Sequence, residues 1–289
     1  MSSQSQSKAL EIRSLRKSYE GFTLDNISFD VPNGYITGFI GPNGAGKTTT
    51  IKLLLDIAMA DSGSVRVFGE EKSIYLNNQI GVVTDEPPFA DFWSCDDLES
   101  VLSAFYDRWD KLAFDSHLKR FEIDRKKAIK ELSRGMKVKL MIAVALSHDA
   151  KILVLDEPTS GLDPVARDEI CTLLGDFICD EKHSVLFSTH ITSDLEKIAD
   201  YVVFILDGRL IFNGSKEELI ENFVHIKGGR DELSVEQRAL VIGIREHGTG
   251  FAGMASISDI EKLPNTAVYD PITLDEMIIY FNKELKNNA

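Results

Sequence analysis

Gly41-Pro42-Asn43-Gly44-Ala45-Gly46-Lys47-Thr48 stands between an apolar run, Tyr35 to Ile40, and a stretch of helical spacing, Thr49 to Met59. In that stretch Ile51, Leu54, Leu55 and Ala58 share one face. Strand, glycine-rich loop and helix, in that order, is the setting in which such a loop cradles phosphate. Gly41, Gly44 and Gly46 let the backbone close around phosphate oxygens, so that successive N–H groups and the helix N-terminus act as anion ligands. Lys47 adds a point charge at the β- and γ-phosphates, and the Thr48 hydroxyl is placed to hold Mg²⁺. A plain turn before a helix would need no Lys-Thr, and Lys47 would then be a charge among glycines without a partner.

Three further segments extend the pattern. Ile152-Leu153-Val154-Leu155 reads as a buried strand that ends in Asp156-Glu157. A carboxylate at that end of a parallel strand emerges beside the glycine loop, so Asp156 can enter a Mg²⁺ shell. Glu157 is then the candidate general base for a water attacking the γ-phosphate. His190 follows a second apolar strand, Val185 to Ser188, across a helix over Val165 to Cys179. Leu132-Ser133-Arg134-Gly135-Met136 precedes a helix expected over Lys137 to Leu146, where Ser133 suits an N-cap.

The bulk composition narrows the setting. The chain has 289 residues, 43% of them hydrophobic, which suits one large domain or a domain with an appendage. Its 32 Lys and Arg stand against 46 Asp and Glu, and a net charge of −14 argues against nucleic acid as a partner. Cys95, Cys171 and Cys179 have no metal-ligand spacing and read as reduced thiols. No apolar run reaches the roughly 18–20 residues needed to span a bilayer, so at a membrane another chain must anchor this one. The first eight residues are polar and expected to be disordered.

Together these segments resemble the ATP-binding subunit of an ABC transporter, from about Leu10 to Gly214, with a weaker likeness in the tail. The resemblance implies an α/β fold: a RecA-like P-loop core with an antiparallel β subdomain, an inserted helical subdomain near residues 89–150, and a small C-terminal α/β appendage. The cassette would occupy residues 9–215 and the appendage 216–289. The resemblance also implies ATP and Mg²⁺ as ligands. Gly41, Pro42, Asn43, Gly44, Ala45, Gly46, Lys47 and Thr48 would wrap the phosphates, with Thr49 at the α-phosphate. Tyr19 matches the aromatic that stacks on adenine, although a tyrosine packed on the sheet edge reads the same way and Phe22 competes for the role. His190 matches the histidine that contacts the γ-phosphate and holds water with Glu157.

Leu132 to Met136 resembles the family signature, with Arg134 in place of a usual glycine and Met136 in place of a usual glutamine. Ser133 and the Gly135 N–H, with the helix dipole, still suffice for a γ-phosphate. In this fold the segment faces a nucleotide held by a second cassette, so two chains, identical or not, would enclose two ATP molecules. After Ile80-Gly81-Val82-Val83-Thr84 the usual glutamine is replaced by Asp85, which can reach Mg²⁺ through water. Phe89, Phe92 and Trp93 beside this hinge are either core or a groove for a partner helix.

The expected activity is an ATPase that powers export through integral membrane permease subunits, from the inner face of the cell membrane. A soluble ABC-type ATPase uncoupled from transport is the alternative. Pro271-Ile272-Thr273-Leu274-Asp275-Glu276 resembles the tail of ABC-2 type exporters, in particular the Gram-positive branch that handles antimicrobial or cytolytic peptides. A small-molecule kinase sharing only the phosphate loop would not need Ser133-Arg134-Gly135 or Ser160-Gly161-Leu162-Asp163.

Overall fold

Residues 7–73, 76 and 78–288 are described by the computed structural model. They divide into two compact units, Met1–Asn213 and Gly214–Ala289. The first unit opens with β1 (Lys8–Tyr19) and β2 (Phe22–Pro32), paired antiparallel with Ile12 opposite Phe29. Ile27, Phe29 and Val31 are buried, as their alternation requires. Most of the expected disordered tail, residues 1–6, lies outside the described residues. Ser7 and Lys8 depart from that expectation: the Ser7 carbonyl accepts from Asn33 N at 2.9 Å and Lys8 begins β1.

β3 (Ile36–Ile40) is wholly buried and runs into the glycine loop and then α1 (Lys47–Leu54). That helix is shorter than its apolar spacing predicts. Asp56 takes a left-handed φ of 57°, and Ile57 N donates back to the Lys52 carbonyl at 2.9 Å while Asp56 N reaches Leu53 O. This closing pattern satisfies the last carbonyls and ends the helix before Ile57 and Met59, which stay exposed.

β4 (Ser62–Val67) and β5 (Glu70–Glu71) complete a four-stranded sheet of order β2-β1-β4-β5. β6 (Ile80–Val83) then leads to a helical segment: α2 (Cys95–Phe105), α3 (Lys111–Arg120) and α4 (Arg134–Ser147). Ser94, Asp110 and Ser133 cap their helices by accepting backbone N–H bonds, which explains why each starts where it does. α4 therefore begins at Arg134, one turn earlier than expected. β7 (Ile152–Asp156), α5 (Pro164–Ile178), β8 (Ser184–Thr189), α6 (Thr192–Ile198), β9 (Tyr201–Leu206) and β10 (Arg209–Ser215) return to the core. The central sheet has the order β10-β9-β3-β8-β7-β6, with β9, β3, β8, β7 and β6 parallel.

Two separate apolar clusters serve this unit. One joins the antiparallel sheet to the parallel one through residues such as Leu10, Phe29, Phe39, Ile51 and Val154. The other holds the helices through Leu98, Phe114, Leu118, Leu140 and Ala143, with Arg125 pairing to Asp96, Glu99 and Asp115 beside it. Cys95 and Cys171 are buried free thiols whose pKa values burial raises to about 11, while Cys179 is exposed.

The second unit forms a four-stranded sheet of order β12-β13-β11-β14 from β11 (Phe223–Gly229), β12 (Val241–Glu246), β13 (Gly250–Ser256) and β14 (Val268–Asp270). Its pairings are antiparallel. The helix Leu274–Asn288 packs on this sheet closely enough that a Cβ at Gly243 would meet the Tyr280 carbonyl oxygen at 2.3 Å. Inside, the Tyr280 hydroxyl lies 2.8 Å from His225 Nε2.

The aromatic cluster at the hinge is divided. Phe89 and Trp93 pack on the helical core, and the Trp93 carbonyl accepts from Ile129 N at 2.9 Å, whereas Phe92 is 74% exposed. Trp93→Ala is therefore expected to lower unfolding free energy by roughly 2–4 kcal/mol. Phe92→Ala should change it by no more than about 0.5 kcal/mol. Thermal melting of the two purified variants checks the split, and equal losses would contradict it.

Candidate functional site

The glycine loop has the shape its residues require. Gly44 and Gly46 take left-handed φ values of 82° and 111°, which a side chain would resist. A Cβ at Gly41 would sit 2.3 Å from the Ile205 carbonyl oxygen. Backbone bonds hold the loop, from Ala45 N to Pro42 O at 3.1 Å and from Gly208 N to Ala45 O at 2.9 Å. Gly46 is the N-cap of α1, so no side chain caps that helix, and its first turn contains no acidic residue. Its leading N–H groups and the positive end of its dipole are thus left for an external anion. Asn43, Gly44 and Thr48 are exposed around it, with Pro42 and Thr49 half-buried.

Lys47 is only 5% exposed, and its ammonium is held by what lies around it. Nζ donates to the Gly41 carbonyl at 2.7 Å and to that of Pro42 at 3.3 Å, and lies 3.3 Å from Glu157 Oε1. Glu157 Oε2 in turn lies 2.7 Å from His190 Nδ1, which must donate because a carboxylate only accepts. The three residues singled out for chemistry thus form one chain of contacts, Lys47–Glu157–His190.

Glu157 owes its position to the backbone. Directly after β7 it adopts φ of 53°, a left-handed value uncommon for a residue with a side chain. Its N–H donates to Ser188 O at 3.0 Å, and its carbonyl accepts from Ser160 N at 3.1 Å. The chain therefore leaves the sheet at this residue, swinging the carboxylate to the loop. Asp156, one residue earlier, remains in the strand and is buried, with the Ser188 hydroxyl donating to Oδ1 at 2.8 Å. Sequence reasoning treated Ser188 only as a strand residue; its place opposite Asp156 in the parallel register is what makes it an anchor.

The donor set fits Mg²⁺ and a triphosphate. A buried cation and an uncapped helix start meet phosphate oxygens, and an exposed Thr48 hydroxyl with an oriented Asp156 carboxylate supplies the oxygens a hard cation prefers. Tyr19 ends β1 and is 47% exposed, with Lys17 Nζ 5.7 Å from its ring centroid. Phe22, its competitor, instead packs over the loop, with its ring 3.0 Å from where a Gly46 Cβ would lie. Tyr19 is thus the aromatic left open to a base.

Ser133, Gly135 and Asp85 form a second group. Ser133 Oγ accepts from Met136 N at 3.3 Å, a cap that uses a lone pair and leaves the O–H to donate elsewhere. The Asp85 carboxylate is ion-paired with Arg134. Both residues are on the surface, so the guanidinium supplies a nearby charge-assisted partner for a carboxylate that would otherwise turn to solvent or metal.

A model of the ABC transporter family matches residues 24–160. Lantibiotic transport ATP-binding protein SrtF of Streptococcus pyogenes is 36% identical over 222 residues, covering 74% of this chain and 96% of that protein. Bacitracin transport ATP-binding protein BcrA of Enterococcus faecalis is 32% identical, covering 73% of this chain and 70% of that one. ABC transporter ATP-binding protein YtrB of Bacillus subtilis is 28% identical over 93% of this chain and 97% of its own, so its likeness reaches past residue 213. Among solved structures, cbiO1 of Clostridium perfringens, part of the ABC transporter complex cbiONQ, superposes with a TM-score of 0.64 at 26% identity, over 74% of this chain and 91% of its own. The identity and coverage of these relatives, with the family match and the shared fold, show that the chain belongs to the ABC transporter family as an ATP-binding, ATP-hydrolysing subunit.

Proposed function

We propose that residues 9–215 bind Mg²⁺-ATP, pair with a second cassette around two nucleotides, and power export through separate integral membrane subunits, with residues 216–289 as an accessory unit. The Lys47–Glu157–His190 chain of contacts carries this reading. A triphosphate entering the loop competes with Glu157 for the Lys47 ammonium. Lys47 then turns to the β- and γ-phosphate oxygens, and Glu157 is freed to hold and deprotonate water. His190 keeps hold of the other carboxylate oxygen, so Glu157 is already oriented when that exchange occurs. The amides of α1 stabilise the phosphates, Thr49 at the α-phosphate, and Tyr19 stacks on the base. Thr48 and Asp156 are the residues to hold Mg²⁺, which when bound neutralises phosphate charge.

The free O–H of Ser133 and the N-terminal amides of α4, including that of Gly135, suit a γ-phosphate presented by a second cassette, identical or not. Among the described residues no helix is long and apolar enough to cross a membrane. Coupling to transport therefore rests on a membrane subunit, docked from the cytoplasmic face, and exposed Phe92 beside the hinge is the side chain for it to cover. The relatives named for lantibiotic and bacitracin transport support an antimicrobial peptide as cargo.

Lys47→Ala is expected to abolish ATP hydrolysis and greatly weaken nucleotide binding, because the phosphate charge loses its buried counterion. Wild-type turnover in that variant would refute the assignment. Glu157→Gln should slow phosphate release at least ~100-fold, as loss of a general base does. It also removes a negative charge facing the γ-phosphate, so with ATP this variant should accumulate as a dimer in light scattering. Adding Ser133→Arg should return it to monomer. Normal phosphate release by Glu157→Gln would overturn the general-base role.

A further inference from the structure

Two of the positions at which this chain departs from the usual family residues, Asp85 and Arg134, are ion-paired with each other. Arg134 is the first residue of α4, where the helix dipole is positive and a cation is disfavoured. The first turn of α4 contains no acidic residue to offset it. The compensating carboxylate comes from the hinge loop after β6, which Thr84 folds by donating from its hydroxyl to the Glu86 carbonyl at 2.6 Å. On its other side the guanidinium passes Gly161, where a built Cβ would be in ordinary van der Waals contact with Arg134 Nε at 3.5 Å. Gly161 belongs to the turn that starts at Glu157, whose carbonyl accepts from Ser160 N. One side chain thus pairs with the hinge loop and passes near the turn after Glu157 while sitting at the N-terminus of α4.

We propose that Arg134 is a positioning residue that, through Asp85, clamps the hinge loop to the start of α4, beside the Gly161 turn. Asp85 accordingly serves the clamp rather than the metal. The inference rests on the ATPase reading above, since its consequence is for how Ser133 and Glu157 are presented to nucleotide. The pair is short-range and charge-assisted, so it holds the hinge in one arrangement without a buried core. Both partners are substantially exposed, which keeps their share of global stability small.

The test compares Asp85→Ala, Arg134→Ala, the double variant, and the exchange Asp85→Arg with Arg134→Asp. Each single change should lower ATP turnover about tenfold, and the double should lose about tenfold, not a hundredfold, because one contact is lost in all three. The exchange should recover most of the loss. Unfolding midpoints should remain within about 4 °C of the parent. In nucleotide-free protein, amide hydrogen exchange over residues 84–88 should quicken about tenfold in Arg134→Ala, a readout independent of ATPase activity. The Mg²⁺ concentration giving half-maximal turnover should be unchanged in Asp85→Ala. Multiplicative losses in the double variant, hinge amides indifferent to Arg134→Ala, or a tenfold shift in the Mg²⁺ midpoint each overturn the proposal. Lys47→Ala separates the two readings: if it abolishes turnover while the clamp variants behave independently, the ATPase assignment stands and the clamp alone falls.

Discussion

A nearly buried ammonium without an anion costs more than a small domain can spare, and Lys47 is placed in that position by the loop around it. Its charge is divided between two loop carbonyls and Glu157. That partner is the residue proposed to activate water. On the proposed reading, binding and catalysis are joined at one contact, since phosphate and Glu157 compete for the same ammonium. His190 holds the other carboxylate oxygen.

The scaffold serves that contact through strand ends. β3, β7 and β8 are adjacent and parallel, so the glycine loop, Asp156-Glu157 and His190 all emerge at one edge of the sheet. Burial of β3 and β7 on both faces makes their positions hard to alter, while the left-handed turn at Glu157 sets one carboxylate apart from its neighbour. Asp156 stays in line with the strand, fixed by Ser188; Glu157 leaves it. Two adjacent acids thereby gain different surroundings.

The helical segment has its own apolar cluster, distinct from that of the sheets. Its covalent links to the core are the hinge after β6 and the return from α4 into β7. A body with a separate core can shift as a unit if its links bend, and the Asp85–Arg134 pair lies across one of them. That pair ties the hinge loop to the start of α4.

Much was legible in the chain itself because the chemistry demands local patterns. Gly41, Gly44, Gly46 and Lys47 had to be those residues to bend the loop and carry its charge. Alternation in Ile27, Phe29 and Val31 announced a half-buried strand, and apolar runs ending in Asp156 and His190 announced strands entering a site. Helix ends were less legible. The spacing of Ile51, Leu54 and Ala58 continues past the point where Asp56 closes α1, because periodicity registers a face and not a backbone φ. Trp93 and Phe92 look alike in sequence, yet only packing decided that one enters the helical core and the other meets solvent. Asp85 and Arg134 stand 49 positions apart and each read as an isolated departure. Side chains so distant in sequence become partners only when the fold brings their loops together, so local residue types set the binding chemistry here while tertiary contact chose who neutralises whom.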